Sequence, residues 1–174
     1  NFLVHALPPC AKDPITKSLP YHHHWLGVTW EDDLAQTQAI LRTQDPVDLL
    51  IVDHYGIDAN WERTIANQVG TLMVIDDLDD RPHYCDVILD HNFYADMTKR
   101  YQDKVEKPAT LLVGPSFACI DSRFSDERKN LASRSFNPIK NVLVFFGGND
   151  QSGVTLKALN ALSQLNQKLE NHLN

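Results

Sequence analysis

Apolar and polar positions fall in alternating blocks along this chain. Short, nearly uninterrupted apolar runs occupy residues 2–7, 49–52, 72–75, 87–89, 111–113 and 142–146. Runs of this length and composition predict strands covered on both faces of a parallel sheet. Amphipathic stretches lie between them. Residues 31–43 put Leu34, Ala35, Gln38 and Leu41 near one helical face, and residues 60–69 do the same for Trp61, Ile65 and Val69. Asp58 suits the N-cap of the second stretch and Gly70 its C-terminal stop. Alternation at this spacing predicts an α/β fold with a doubly wound parallel, Rossmann-like sheet.

The pattern changes in three places. Residues 22–29 form a polar, aromatic stretch without periodicity. From 121 to 137 the chain becomes rich in Ser, Arg, Lys, Asp and Glu, ending at Asn137-Pro138. That predicts an exposed helix, a connector and a domain boundary near Asn137. Residues 138–174 then read as one strand, a glycine turn and one long helix carrying Leu156, Leu159, Leu162, Leu165, Leu169 and Leu173. A strand and a helix alone cannot bury their own faces. The chain also begins without Met inside an apolar run and ends within a helical pattern. The expectation is a first domain over 1–137 followed by the opening elements of a second over 138–174, together a piece of something larger.

Composition narrows the class. With 43% hydrophobic and 22% charged residues in 174, the chain is globular rather than disordered, collagen-like or coiled-coil. A net charge of −7 and a pI near 5.5 argue against a nucleic-acid or anionic-membrane surface. A local pocket for one small phosphate stays compatible with that charge. Cys10, Cys85 and Cys119 are odd in number and lack a CxxC, so they read as reduced, packed thiols of a cytoplasmic protein. No apolar run nears the ~20 residues of a membrane helix.

Parallel sheets bind ligands beyond the carboxyl ends of their strands. The residues found there are Asp53-His54-Tyr55-Gly56-Ile57, Asp76-Asp77-Leu78-Asp79-Asp80-Arg81, Asp90-His91-Asn92-Phe93-Tyr94, Gly114-Pro115-Ser116-Phe117 and Gly147-Gly148-Asn149-Asp150. Their convergence on one edge suggests a pocket for a polar, hydroxylated ligand. Each has a plainer reading. Asp53, His54 and Tyr55 could orient water and hold sugar hydroxyls, or simply make a strand-to-helix turn. The run Asp76–Asp80 could hold a divalent cation or form a solvated, capping loop. His22-His23-His24 reads as an exposed loop, and His83, Cys85 and His91 lack zinc-ligand spacing. The glycine turn at Gly147-Gly148 could admit a phosphate to a helix N-terminus, though it matches neither the dinucleotide fingerprint nor the P-loop. No Gly-x-Ser-x-Gly elbow is present.

Taken in order, these motifs carry a resemblance. Leu49-Leu50-Ile51-Val52-Asp53-His54-Tyr55-Gly56-Ile57, Asp76-Asp77, and Pro82-His83-Tyr84-Cys85-Asp86 running on through Asp90-His91-Asn92-Phe93-Tyr94-Ala95 form its first part. Gly114-Pro115-Ser116-Phe117-Ala118-Cys119-Ile120-Asp121-Ser122-Arg123-Phe124 and Phe145-Phe146-Gly147-Gly148-Asn149-Asp150 complete it. The chain resembles the UDP-2,4-diacetamido-2,4,6-trideoxy-β-L-altropyranose hydrolase family of pseudaminic acid biosynthesis. That family is itself similar to two-domain glycosyltransferases of the B type, including MurG-like enzymes.

The resemblance implies a hydrolase needing neither metal nor cofactor, in which water attacks the anomeric carbon with inversion and UDP leaves. It implies a general-base histidine in a glycine-rich loop that would precede Asn1, so this chain alone is expected to be inactive. Tyr55 matches a tyrosine at the substrate that supports catalysis. Asp53, His54, Gly56, Asp76, Asp77, Asn92 and Ser116 fall in motifs that shape the substrate site, and Gly147, Gly148, Asn149 and Asp150 match the turn that holds UDP. Gly153 stands where many relatives have Asn. A small UDP-sugar is the implied partner, with no nucleic acid and no membrane. Rival readings are a glycosyltransferase of the same fold, a hydrolysing epimerase of UDP-amino sugars, and a non-enzymatic α/β fragment that binds a partner.

Overall fold

The computed structural model describes residues 3–8, 20–131, 141–148, 150 and 152–172. The chain divides into two compact units, Asn1–Asp121 and Ser122–Asn174. The boundary expected near Asn137 lies outside the described residues, as do Cys10 and Asn149.

The first unit contains α1 (Trp30–Leu41), β1 (Val47–Val52), α2 (Ala59–Ile65), β2 (Val69–Ile75), β3 (Val87–Asp90) and β4 (Thr110–Val113). Short 3-10 turns at His23–Leu26, Ala66–Gln68, Met97–Lys99 and Pro115–Phe117 complete it. The four strands are parallel and lie in chain order, β1-β2-β3-β4. This is an α/β fold around a parallel sheet, as the block pattern predicts.

Local chemistry fixes the helix starts. The Thr29 hydroxyl accepts from the Asp32 amide (3.0 Å), and Glu31, Asp32 and Asp33 place negative charge at the positive end of α1. Asp58 caps α2 as expected, its carboxylate accepting from the Asn60 amide at 2.9 Å. Gly70 does not stop that helix. The 3-10 turn Ala66–Gln68 does so, and Gly70 is the second residue of β2. A Cβ there would lie 2.7 Å from the Asp48 carbonyl oxygen, so glycine is required by the close approach of β1.

Register aligns Leu50 with Leu72, and Val52 with Val74 and Ile88, on one sheet face. Leu34 of α1 and Trp61 and Ile65 of α2 pack into the same cluster. Ile65, Leu72 and Ile88 are fully buried, and burial of such a side chain contributes about 1.5–3 kcal/mol. The opposite face differs from the sequence expectation, since Leu49 and Ile51 are half exposed. The reason is topological. Right-handed crossovers between strands laid in order fall on one side of a sheet, and α1 and α2 both contribute to that side. Within α1, Ala35 is exposed and Asp33 takes a buried place, because its Oδ1 accepts from Trp61 Nε1 at 2.9 Å. Burial is the main influence on Asp33, and it raises its pKa.

Two predicted strands do not form among the described residues. Residues 3–8 and 141–147 carry no strand, and Leu3, Val4, Leu143 and Phe145 are largely exposed. Apolar content makes a strand only where a neighbour supplies the ladder, and neither segment pairs with a described strand.

The second unit holds the exposed α3 (Ser122–Asn130) and the long α4 (Val154–His172). Among the described residues no helix is long and apolar enough to cross a membrane.

Candidate functional site

The carboxyl ends of β1, β2 and β3 meet in one hydrogen-bonded system. Tyr55, in the loop after β1, donates its hydroxyl to Asp77 Oδ1 at 2.7 Å. Asn92, in the loop after β3, donates from Nδ2 to Asp77 Oδ2 at 2.9 Å. The three residues come from three strand ends and are partly buried, so the Asp77 carboxylate is held from both sides yet stays near solvent. The hydrogen bond to Asp77 is the main reason the Tyr55 pKa stands well above the ordinary tyrosine value. Partial burial and the Asp77, Asp76 and Asp53 charges add to it. Tyr55 is therefore a neutral phenol at physiological pH, able to accept a hydrogen bond while donating one.

The loop after β1 is shaped by His54, whose Nδ1 accepts from the Gly56 amide at 3.0 Å. Gly56 is buried beneath the turn that precedes α1. A Cβ there would meet His54 Cε1 at 3.0 Å and the His22 carbonyl oxygen at 3.1 Å. Asp53 is exposed at the loop's start.

Behind Asp77 lies a buried ionic network that the sequence does not announce. Arg81, only 3% exposed, donates from Nε to the Ile57 carbonyl (2.7 Å) and from Nη1 to Asp76 Oδ1 (2.6 Å). It thereby ties the loop after β1 to the loop after β2. Asp76 Oδ2 accepts from the Asp79 amide (3.0 Å) and stands 2.9 Å from the Tyr101 hydroxyl. Burial works to raise the Asp76 pKa, but His83 and Arg81 prevail and hold its carboxyl well below the usual range. His83 is fully buried, its Nδ1 2.8 Å from Glu62 Oε1 and its Nε2 3.8 Å from Asp76 Oδ2. Burial opposes its charge, yet the two carboxylates win and push its pKa up to about 9. Asp76 thus faces inward and its contacts are internal. It is neither part of a solvated loop nor open to a cation.

Arg100 and Tyr101 close the network from the loop after β3. Arg100 donates from Nε to Asp90 Oδ2 (2.7 Å) and from Nη2 to the Asp77 carbonyl (2.8 Å), with its guanidinium 3.7 Å from the Tyr94 ring centroid. The Tyr94 hydroxyl donates to that same carbonyl at 2.9 Å. Tyr101 is 1% exposed and holds the left-handed backbone region at φ 65°, a strained position for a bulky residue. Its hydroxyl lies within 3.1 Å of Asp76 and Asp90 oxygens. Arg81, His83, Glu62, Arg100 and Tyr101 were missed in sequence reasoning. Arg81, directly after four acids in five residues, and His83, inside the motif that carries the resemblance, have the only signals in the sequence.

The remaining expected site residues take no part in the contacts just described. Ser116 is exposed in the short turn after β4. In the second unit Gly147 holds φ +86° and Gly148 is exposed. Asp150 caps α4, its Oδ1 accepting from the Val154 amide (2.8 Å) and its Oδ2 from the Thr155 amide (2.7 Å). Those bonds, first among them that with Thr155, hold its carboxyl below the usual range. Two amides at the start of α4, those of Val154 and Thr155, are thus already occupied by a carboxylate. Cys85 is buried and, chiefly through burial, its thiol is pushed up to about 12, whereas Cys119 is exposed rather than packed. No group of three or more His, Cys, Asp or Glu side chains among the described residues is arranged to hold a metal.

No protein-family model matches the chain. It is 29% identical over 119 residues to the UDP-2,4-diacetamido-2,4,6-trideoxy-β-L-altropyranose hydrolase of Campylobacter jejuni, covering 68% of this chain and 42% of that protein. The likeness is distant. An uncharacterized protein of Methanocaldococcus jannaschii is 27% identical over 117 residues, covering 66% of this chain and 24% of the relative. The chain therefore spans less than half the length of either curated relative.

Proposed function

We propose that this chain forms the sugar-holding part of an enzyme that hydrolyses a UDP-linked amino sugar. The observation that carries the reading is the Tyr55–Asp77–Asn92 system at the carboxyl ends of three parallel strands. The distant similarity to a UDP-sugar hydrolase supports it. In the proposed reaction a water oxygen bonds to the anomeric carbon as the bond from that carbon to the diphosphate oxygen breaks. UDP departs with the bond's electron pair, and water gives up a proton to a general base. The chain's own contribution is to fix the sugar. Asp77 accepts from a sugar hydroxyl or amide, while the Tyr55 oxygen accepts a second hydrogen bond from substrate or water. Fixing the sugar relative to water and leaving group lowers the entropic part of the barrier.

UDP release from UDP-amino sugars, measured with the intact protein and no acceptor, tests this reading. Release without acceptor is expected. Release only when an acceptor alcohol is added would replace hydrolysis by glycosyl transfer. Tyr55→Phe is expected to lower the rate of UDP release about 10-fold or more, consistent with loss of one positioned polar group, with a smaller change in UDP affinity. An unchanged rate would remove Tyr55 from the site.

A further inference from the structure

Beside the Tyr55–Asp77 pair stands a cluster of aromatic rings that the proposed chemistry has not used. The 3-10 turn His23–Leu26 and the residues just before it rest on the loop after β1 at Gly56. This docking places the His22 ring 5.8 Å and the Trp25 ring 5.8 Å from the Tyr55 ring, centroid to centroid. His22 packs on Trp25 at 4.3 Å, and Tyr21 meets His22 edge-on at 4.8 Å. The Arg81 guanidinium lies 5.8 Å from the Tyr55 centroid. Large aromatic rings normally supply buried apolar area, yet Trp25 is 55% and Tyr21 80% exposed. His22 Nδ1 is buried and has no hydrogen-bond partner among the described residues.

We infer that Trp25 and Tyr55, whose rings are tilted at 56° to one another, form an aromatic platform for the pyranose ring of the substrate, with Asp77 and Asn92 as its polar border. The inference rests on the proposed nucleotide-sugar reading and deepens it. The polarised C–H bonds of a sugar face are attracted to the negative face of an aromatic ring, while its hydroxyls need acceptors at the ring's rim. Asp77 provides them, because each carboxylate oxygen accepts one bond in the structure and has capacity for a second. The diphosphate belongs elsewhere. Asp77, bonded to the Tyr55 hydroxyl, and Asp53 put negative charge beside the Tyr55 ring, and like charge disfavours phosphate there. The sugar end therefore fits better than the nucleotide end.

Saturation-transfer NMR on this chain, with methyl N-acetyl-β-glucosaminide and with UMP as separate probes, tests the assignment. Transfer to the pyranose ring protons is expected, with about three- to tenfold weaker binding in Trp25→Ala and most of it kept in Trp25→Phe. Helical circular dichroism verifies that each variant is folded. Transfer to the uracil protons of UMP that is lost in Trp25→Ala would overturn the sugar assignment in favour of a base. Absence of transfer to the glycoside, or equal transfer in Trp25→Ala, would overturn the platform itself. The two readings fail separately. Glycoside binding without UDP release by the intact protein removes the hydrolase alone. UDP release with an unchanged KM in Trp25→Ala removes the platform alone.

Discussion

The buried pair Glu62–His83 makes a quantitative prediction about stability and pH. His83 titrates near 9 in the folded protein, against about 6.5 in an unfolded chain. Folding therefore tightens proton binding to the imidazole, and the protonated form stabilises the fold. The contribution is complete below about pH 6.5, where both states are protonated, and is lost as pH rises through about 9. Raising the imidazole pKa from about 6.5 to about 9 contributes about 3 kcal/mol, most of which is still present at neutral pH. Cys85 also favours unfolding at alkaline pH, since its thiol ionises more readily in the unfolded chain. A difference measurement cancels the larger part of that effect, which comes from burial rather than from Glu62. The perturbation is Glu62→Gln with His83→Gln, which removes both charges and keeps an acceptor for the Tyr84 amide that Glu62 Oε2 now receives. Urea unfolding followed by tryptophan fluorescence at pH 7, 8, 9 and 10 gives the stability of each protein. The parent should lose about 2–3 kcal/mol more than the double variant between pH 7 and 10. Parallel curves for the two proteins would refute a protonated His83 in the folded state.

Two further predictions follow from packing. Gly70→Ala would press a Cβ to 2.7 Å from the Asp48 carbonyl, so it should cost about 1–3 kcal/mol of stability, read as a lower urea midpoint. A maleimide reagent should label Cys119 quickly in the native protein and reach Cys85 only on unfolding, as mass spectrometry of digested protein would report; early labelling of Cys85 would contradict its burial.

Legibility in the sequence followed the range over which the deciding physics acts. Strands at 49–52, 72–75, 87–89 and 111–113 are readable because three or four consecutive apolar residues between polar turns have few alternatives in an α/β chain. The caps were readable for the same local reason, as Asp58 shows. Gly70 was misassigned because the sequence places it after a helical stretch, while its role comes from β1, more than twenty residues earlier. The apolar segments at 2–7 and 142–146 resembled strands, but composition does not supply a pairing partner. That Tyr55, Asp77 and Asn92 come together is legible from their places at strand ends. The roles of Arg81, His83 and Tyr101 are not, since they depend on Glu62 and Asp76 being desolvated together with them. The exposed Tyr21 and Trp25 carried no periodic signal at all.

Strand order has a consequence for how the sheet is made. Each described strand after the first pairs with the strand that precedes it in the chain, so it finds its neighbour already made. Loop closure between successive strands spans short stretches and costs correspondingly little entropy. During synthesis the sheet can grow at one advancing edge, with β2 settling on β1, β3 on β2 and β4 on β3. The Asp76–Arg81–Tyr101 network completes late in that order, because its last member emerges only after β3. The strand-end chemistry is thus assembled by the same event that joins the loop after β3 to a sheet already formed.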